Sequence, residues 1–254
     1  MNEPLDVAMD TAGIARITIN RPKRANAVDA ALANAMLEAL DWLASDPKLR
    51  VLVLLGAGRS FCAGLDLKAL PATMAAPFDE NYADALKFAK LLYRLHTMPA
   101  PTLAVIPGTA IGLGVGFVAC CDIALASDVA TFRFSEVRLG IIPAIISPYV
   151  IAAMGARACQ RYFLSAETFD AAEAHRLGLV QMVSSLDKLG DAAGNIVAEL
   201  IAGKRDAQRA SKLLIDRVRP AALDDQLIED TARRLAEIRA TEQAKNAVEE
   251  ALKR

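Results

Sequence analysis

The most regular feature of the chain is a set of short apolar runs, each of strand length. VLVLLG (51–56), TLAVIPG (102–108) and DIALAS (122–127) are nearly continuous apolar runs. Runs of this kind predict strands buried on both faces of a sheet, as in parallel α/β proteins. GIARITI (13–19) instead alternates isoleucine with smaller or polar residues. This alternation predicts a strand that pairs with LDVAM (5–9) as a hairpin.

Helical spacing separates these runs. Apolar residues recur at helical intervals over 30–44, where Asp29 can cap the first turn, and a second helix is predicted over 79–97. The intervening stretches 56–64 and 71–77 are rich in glycine or bounded by proline, so we predict loops there.

The last third of the chain has a different pattern. From about residue 147 the spacing is helical, apart from a short strand near 179–183, and the tail 186–253 predicts three helices. We therefore expect an α/β core over residues 1–195 and a helical C-terminal region over residues 196–254.

Composition and charge narrow the class of protein. Hydrophobic residues make up 54% of the 254 residues, and the net charge is −1, from 29 Lys and Arg against 30 Asp and Glu. This balance gives no general attraction to nucleic acid or to an anionic membrane, so we expect neither as a partner. The N-terminal MNEPLDVAMD lacks the basic and apolar order of a signal peptide, which favours a cytoplasmic location.

The cysteines and histidines do not indicate a metal site, a disulfide or a histidine-based catalytic site. The four cysteines have no spacing typical of a zinc site, and adjacent Cys120 and Cys121 are unsuited to bonding each other. We expect buried free thiols. His96 and His175 are the only histidines, and neither lies near an acidic or cysteine cluster in sequence. A metal site or a histidine-based catalytic triad is therefore not predicted.

The glycine-rich IGLGVGF (111–117) invites comparison with phosphate-binding loops. The dinucleotide pattern fails because Phe117 occupies the position of its third glycine, and no Gly-Lys-Ser/Thr follows. A helix that begins near residue 112 would leave its first N–H groups unpaired.

A second turn, CAGLD (62–66), follows the strand at 51–56 as AIGLG (110–114) follows the strand at 102–106. Two such turns on neighbouring strands can direct N–H groups at one point, as an oxyanion hole does. The alternative is that the glycines simply permit close packing of a helix.

Six segments in order along the chain resemble the enoyl-CoA hydratase/isomerase, or crotonase, family. They are INRPKRANAV (19–28), FCAGLDLK (61–68), AVIPGTAIGLGVG (104–116), CDIALAS (121–127), FRFSEVRLGIIP (132–143) and AAEAHRLGLV (171–180). The resemblance implies a spiral of β-β-α units with a helical C-terminal trimerisation region. It also implies an acyl-coenzyme A thioester as substrate, no separate cofactor, and a homotrimer or a dimer of trimers.

The resemblance also implies roles for individual residues. The oxyanion donors would be the N–H groups of Leu65 and Leu113. Leu113 stands where the family has a glycine, but a backbone donor needs no particular side chain. The remaining residues would lie along the coenzyme A: Lys23, Arg24, Ala25, Ala63, Gly64, Asp66, Leu67, Lys68 and Gly112.

The acid and base positions are the main departure from the family. Hydratases of the family commonly use two glutamates, but the first position is Gly116 in this chain. The second is Glu136, which we expect to be buried and catalytic. Asp66 is a further nearby acid, although a structural role in its turn is the simpler interpretation.

One glutamate leaves the reaction open. A single base suffices for double-bond isomerisation, whereas hydration requires that one residue act twice or that another acid take part. Residues 143–148, Pro-Ala-Ile-Ile-Ser-Pro, resemble methylglutaconyl-CoA-type hydratases. We therefore favour hydration of a 2-enoyl-CoA. The alternatives are an isomerase and a non-catalytic acyl-CoA-binding protein.

Overall fold

The computed structural model describes residues 3–253. Its strands are β1 (Leu5–Met9), β2 (Ile14–Ile19), β3 (Val51–Gly56), β4 (Thr102–Ile106), β5 (Ala110–Ile111), β6 (Ile123–Ser127), β7 (Thr131–Arg133), β8 (Phe169–Asp170) and β9 (Met182–Ser184). Its helices are α1 (Ala30–Ser45), α2 (Leu70–Ala75), α3 (Phe78–His96), α4 (Leu113–Cys120), α5 (Ser147–Met154), α6 (Ala156–Ser165), α7 (Ala171–Arg176), α8 (Leu189–Ala202), α9 (Arg205–Val218), α10 (Asp225–Arg239) and α11 (Glu242–Leu252).

The strands form two sheets. The larger has the order β1-β2-β3-β4-β6-β9, and the smaller has the order β5-β7-β8. In the larger sheet β1 pairs antiparallel with β2, as the alternating pattern predicted, and every other neighbouring pair is parallel. All five residues of β4 are buried, which explains why its sequence is a continuous apolar run.

The two faces of the large sheet pack against different helices. Leu52 and Leu54 of β3 belong to the main core, which also contains the buried faces of α1 and α3. Val51 and Val53 point to the other face, where α8 packs against them. The predicted division at residues 195 and 196 lies inside α8, and that division stays a prediction.

Two expectations about the elements were wrong. The predicted loop at 71–77 contains the short helix α2, since Pro71 is tolerated in the first turn of a helix, where its missing N–H has no partner to lose. The predicted tail of three helices contains four within the described residues. The Thr241 side chain accepts a hydrogen bond from the Ala244 N–H and so starts α11 separately from α10.

Candidate active site

Two turns meet at one end of the large sheet. Because β3 and β4 are parallel neighbours, the loops after them leave the same edge. Cys62 pairs with Ala110 in a parallel bridge, and the Ile111 N–H donates to the Cys62 carbonyl at 2.9 Å. The turns 62–66 and 110–114 therefore run side by side, as predicted from their positions after neighbouring strands.

The backbone around Leu65 is fixed by the first loop. The Val28 N–H donates to the Gly64 carbonyl at 2.8 Å, and the Asp66 N–H donates to the Val28 carbonyl at 2.9 Å. Val28 thus bonds to the residues on either side of Leu65, as in a parallel ladder, and the Leu65 N–H points the other way. Within residues 3–253 the Leu65 N–H has no acceptor.

The N–H of Leu113 is unpaired for a different reason. Leu113 is the first residue of α4, and the first N–H groups of a helix have no partner within it. Gly112, at φ +51°, makes the sharp entry into the helix, a conformation that favours glycine. Leu113 itself needs only helical angles, so leucine is compatible with this position.

The two unpaired N–H groups belong to one small region. A Cβ atom added to Gly64 would lie 3.4 Å from the Leu113 nitrogen and 2.7 Å from the Ile111 carbonyl oxygen. Gly64 also has φ +90°, which a residue with a side chain rarely adopts. Glycine at position 64 therefore permits the close approach of the turns.

Glu136 lies against this region. It begins a short 3₁₀ turn (Glu136–Leu139) after β7, and a Cβ atom added to Gly112 would lie 2.8 Å from its Oε1 atom. Its Oε2 atom is buried and has no hydrogen-bond partner among the described residues. Burial raises the pKa of Glu136, and hydrogen bonds with the backbone of Glu136 and Ser135 offset only part of that rise.

The position of the missing glutamate is filled by other side chains. A Cβ atom on Gly116 would collide with Ile146 Cγ2 and lie 3.2 Å from Leu92 Cδ2. Both Ile146 and Leu92 are fully buried. The space that a carboxylate at position 116 would need is therefore occupied by aliphatic groups.

Nearly all the predicted site residues line one large cleft of about 860 Å³. Lining it are Lys23, Arg24, Ala63, Gly64, Leu65, Asp66, Leu67, Lys68, Gly112, Leu113 and Glu136. Ala25 does not line the cleft. Its carbonyl accepts the Ala63 N–H at 2.9 Å, so Ala25 joins the first loop to the turn.

Asp66 is held by its neighbours. Its Oδ2 atom accepts from Arg24 at 2.7 Å and from Arg21 at 3.1 Å, and its Oδ1 atom accepts from the Lys68 N–H at 3.1 Å. Burial alone would raise the pKa of Asp66. The Lys68 N–H and the two guanidinium groups outweigh burial, so the pKa is lowered.

Sequence reasoning missed Asn26, which is fully buried beneath the first loop. Its Nδ2 donates to the carbonyls of Ala57 and Ser60 at 2.9 and 2.7 Å, and its Oδ1 accepts the Arg21 N–H at 2.9 Å. Asn26 adopts φ 60°, which asparagine tolerates better than most residues. The sequence feature that could have indicated this role is an asparagine within the polar loop 21–28.

The cleft also has two walls that sequence reasoning did not assign. One comes from α2 and α3, and the other comes from residues 139–146. Six of the apolar side chains in these walls are Leu70, Met74, Phe88, Ile141, Ile145 and Ile146. A large, mainly apolar cleft with a few polar groups is the usual form of a small-molecule site.

The structure is that of a mixed α/β protein with a large cleft beside two backbone turns. Residues 9–253 match the family model described as "Enoyl-CoA hydratase/isomerase". The chain belongs to this family, and the crotonase fold expected from the six segments is confirmed.

Individual relatives agree with this assignment. The crystal structure of an enoyl-CoA hydratase from Shewanella pealeana has a TM-score of 0.95 and 32% identity, covering 99% of this chain and 94% of that one. The 4-chlorobenzoyl coenzyme A dehalogenase-2 of an Arthrobacter species is 34% identical over 78% of this chain and 72% of the relative. The hydroxycinnamoyl-CoA hydratase-lyase of Pseudomonas fluorescens is 31% identical over 79% and 74%, respectively.

Proposed function

We propose that this protein catalyses the reversible addition of water to a 2-enoyl-CoA. The observation that carries the proposal is one juxtaposition. The unpaired N–H groups of Leu65 and Leu113 lie at the same cleft as the Glu136 carboxylate, whose Oε2 atom has no described partner. Preorganised donors beside an available carboxylate suit a reaction in which a thioester oxygen gains charge while a proton moves.

The coenzyme A portion would lie at the basic mouth of the cleft. Lys23 and Lys68 line it and form no ion pair with another described residue. Arg24 is already paired with Asp66, although its side chain is 48% exposed. The names of the dehalogenase and the hydratase-lyase both specify a coenzyme A derivative as the substrate, but they specify different reactions. These names support the thioester more strongly than they support hydration.

The proposed step uses Glu136 twice. The carboxylate takes a proton from water as the water oxygen bonds to the β-carbon, and the π electrons move to the thioester oxygen as an enolate. The N–H groups of Leu65 and Leu113 stabilise that oxygen. The enolate collapses as the protonated Glu136 delivers the proton to the α-carbon, which restores the carboxylate.

Double-bond isomerisation is the second candidate, and position 116 favours it. Ile146 and Leu92 fill the space of a second carboxylate, and moving a proton between two carbons requires only one base.

Incubation with matched 2-enoyl-CoA and 3-enoyl-CoA substrates separates the candidates. Hydration adds the mass of water to the product, whereas isomerisation leaves the mass unchanged and interconverts the two substrates. Tight binding of acyl-CoA without turnover of either would indicate a non-catalytic protein.

We also propose assembly into a homotrimer or a dimer of trimers. The C-terminal helices and their connections expose large apolar side chains, including Leu213, Ile215, Leu223 and Ile228, each more than half exposed. Burial of such groups between subunits would stabilise an assembly. Light scattering on the purified protein measures the number of subunits.

None of the helices within residues 3–253 is long and apolar enough to cross a membrane.

A further inference from the structure

One wall of the cleft carries two polar side chains among apolar ones. Asn81, Asp84, Ala85 and Phe88 of α3 all line the cleft. Their spacing of three, four and seven residues from Asn81 places them on one face of the helix. Phe88 is buried and Ala85 is apolar, whereas Asn81 and Asp84 are the polar residues on this cleft-lining face.

Neither polar group is engaged strongly within the protein. The side-chain amide of Asn81 has no hydrogen-bond partner among residues 3–253. Asp84 contacts Lys87 at 3.5 Å, at the limit of a hydrogen bond. Asp66, in the same cleft, has guanidinium contacts of 2.7 and 3.1 Å and one N–H donor. Asn81 and Asp84 are therefore more available to a ligand group than Asp66, since the one contact of Asp84 is long.

An aliphatic acyl group would gain nothing from this pair. The surrounding wall contains Leu70, Met74, Ile142 and Ile145. A hydrocarbon packed over Asn81 and Asp84 would remove both from water without replacing their hydrogen bonds, which is unfavourable. An acyl group with a hydroxyl could donate to the carboxylate and bond to the amide. A second carboxylate would be repelled by Asp84.

We propose that Asn81 and Asp84 select acyl groups that carry a hydroxyl group at the ω end of the chain, distinct from the 3-hydroxyl that hydration creates next to the thioester. The proposal rests on the proposed function to the extent that it takes the cleft as an acyl-CoA site. The two residues determine specificity and take no part in proton transfer.

Binding of saturated acyl-CoA thioesters tests this selection without any chemistry. Affinities are measured by calorimetry for three series of matched chain lengths: the unsubstituted acyl-CoA, its ω-hydroxy analogue and its ω-carboxy analogue. At the chain length that reaches α3, the hydroxy compound should bind about tenfold more tightly than the unsubstituted one, the size expected for a hydrogen bond to a charged group. The carboxy compound should bind more weakly than the hydroxy compound.

The variants Asn81→Leu, Asp84→Leu and their double variant should progressively abolish the preference for the hydroxy compound. Glu80→Leu is the matched control, because Glu80 is an exposed acid of α3 outside the cleft, and the preference should remain. Circular dichroism verifies folding, and the single variants suffice if the double variant does not fold. Equal affinities at every chain length, strongest binding of the carboxy series, or a preference that survives in the double variant would overturn the proposal. Because these ligands cannot be hydrated, failure of the hydration proposal is detected separately.

Discussion

Asp66 and Glu136 are two carboxylates in one cleft, and their surroundings prepare them for different tasks. Asp66 receives two guanidinium groups and a backbone N–H, which together lower its pKa. Glu136 lies beside the bare Cα of Gly112 with its Oε2 atom unpartnered, and burial raises its pKa. The comparison shows that burial raises the pKa of a carboxyl unless neighbouring donors outweigh it, as they do for Asp66 and not for Glu136.

Replacing the available carboxylate should have the largest effect. Glu136→Gln keeps the shape of the side chain and removes the base. Turnover of a 2-enoyl-CoA should fall about a hundredfold to ten-thousandfold, the usual contribution of a general acid–base group. Calorimetry should show that affinity for a saturated acyl-CoA is almost unchanged. Turnover near that of the unmodified protein would show that Glu136 is not the catalytic group.

Replacing the engaged carboxylate should instead affect stability. Asp66→Asn removes one of the two carboxylates that pair with Arg21, whose side chain is 13% exposed; the Asp29 carboxylate, at 3.0 Å, remains. We expect a loss of about 1–3 kcal/mol in the free energy of unfolding, less than for a buried pair that loses its only partner, because Asp29 still pairs with Arg21 and Arg24 is half-exposed. Urea denaturation measures this loss, and turnover of the folded variant should fall less than about tenfold, below the usual range for a general acid–base group. A larger loss of turnover than in Glu136→Gln would reverse the roles of the two acids.

The third prediction concerns the filled position of the second acid. Gly116→Ala places a methyl group against Ile146 and should lower the free energy of unfolding by about 1–3 kcal/mol. Adding Ile146→Ala provides space for the new methyl group. The double variant should therefore lose less stability than the two single variants lose together, by a coupling energy of about 0.5–3 kcal/mol. Strict additivity in urea denaturation would show that the two positions do not contact each other.

The smallest predicted effects concern pH, and they follow from pKa shifts of opposite direction, a raised pKa for Glu136 and a lowered pKa for Asp66. Glu136 must be ionised to act as a base, and its raised pKa places the acid limb of kcat/KM above pH 4.5, its ordinary value. Asp66 has a lowered pKa. Its contribution to stability is therefore present above its ordinary value of 3.8 and is lost as pH falls through the folded value. In Asp66→Asn the acid limb should remain while this part of the pH dependence of unfolding disappears.

The sequence predicted the sheet well because its central strands are buried on both faces. VLVLLG (51–56) and TLAVIPG (102–108) have no polar face, so few alternatives to a buried strand exist. The short helix α2 was beyond that reasoning. A proline at residue 71 is equally compatible with a loop and with the start of a helix.

The candidate site was predicted wherever it depended on local motifs. The two turns and Glu136 come together at one cleft, since the turns lie a few residues after β3 and β4 and Glu136 lies a few residues after β7. Their assignment to catalysis stays a prediction. The contact between Gly116 and Ile146 and the exposure of Asn81 and Asp84 to the cleft could not be predicted. They depend on how α3 and α5 pack against α4, and helical spacing alone does not determine that packing.

The most direct test of the central proposal follows oxygen from solvent into the product. The protein and its Glu136→Gln variant are each incubated with a 2-enoyl-CoA in water enriched in heavy oxygen, and the acyl products are analysed by mass spectrometry. We predict one heavy oxygen in the acyl chain with the unmodified protein, and almost none over the same time with Glu136→Gln. An unlabelled product of unchanged mass from the unmodified protein, or equal labelling by the variant, would contradict hydration through Glu136.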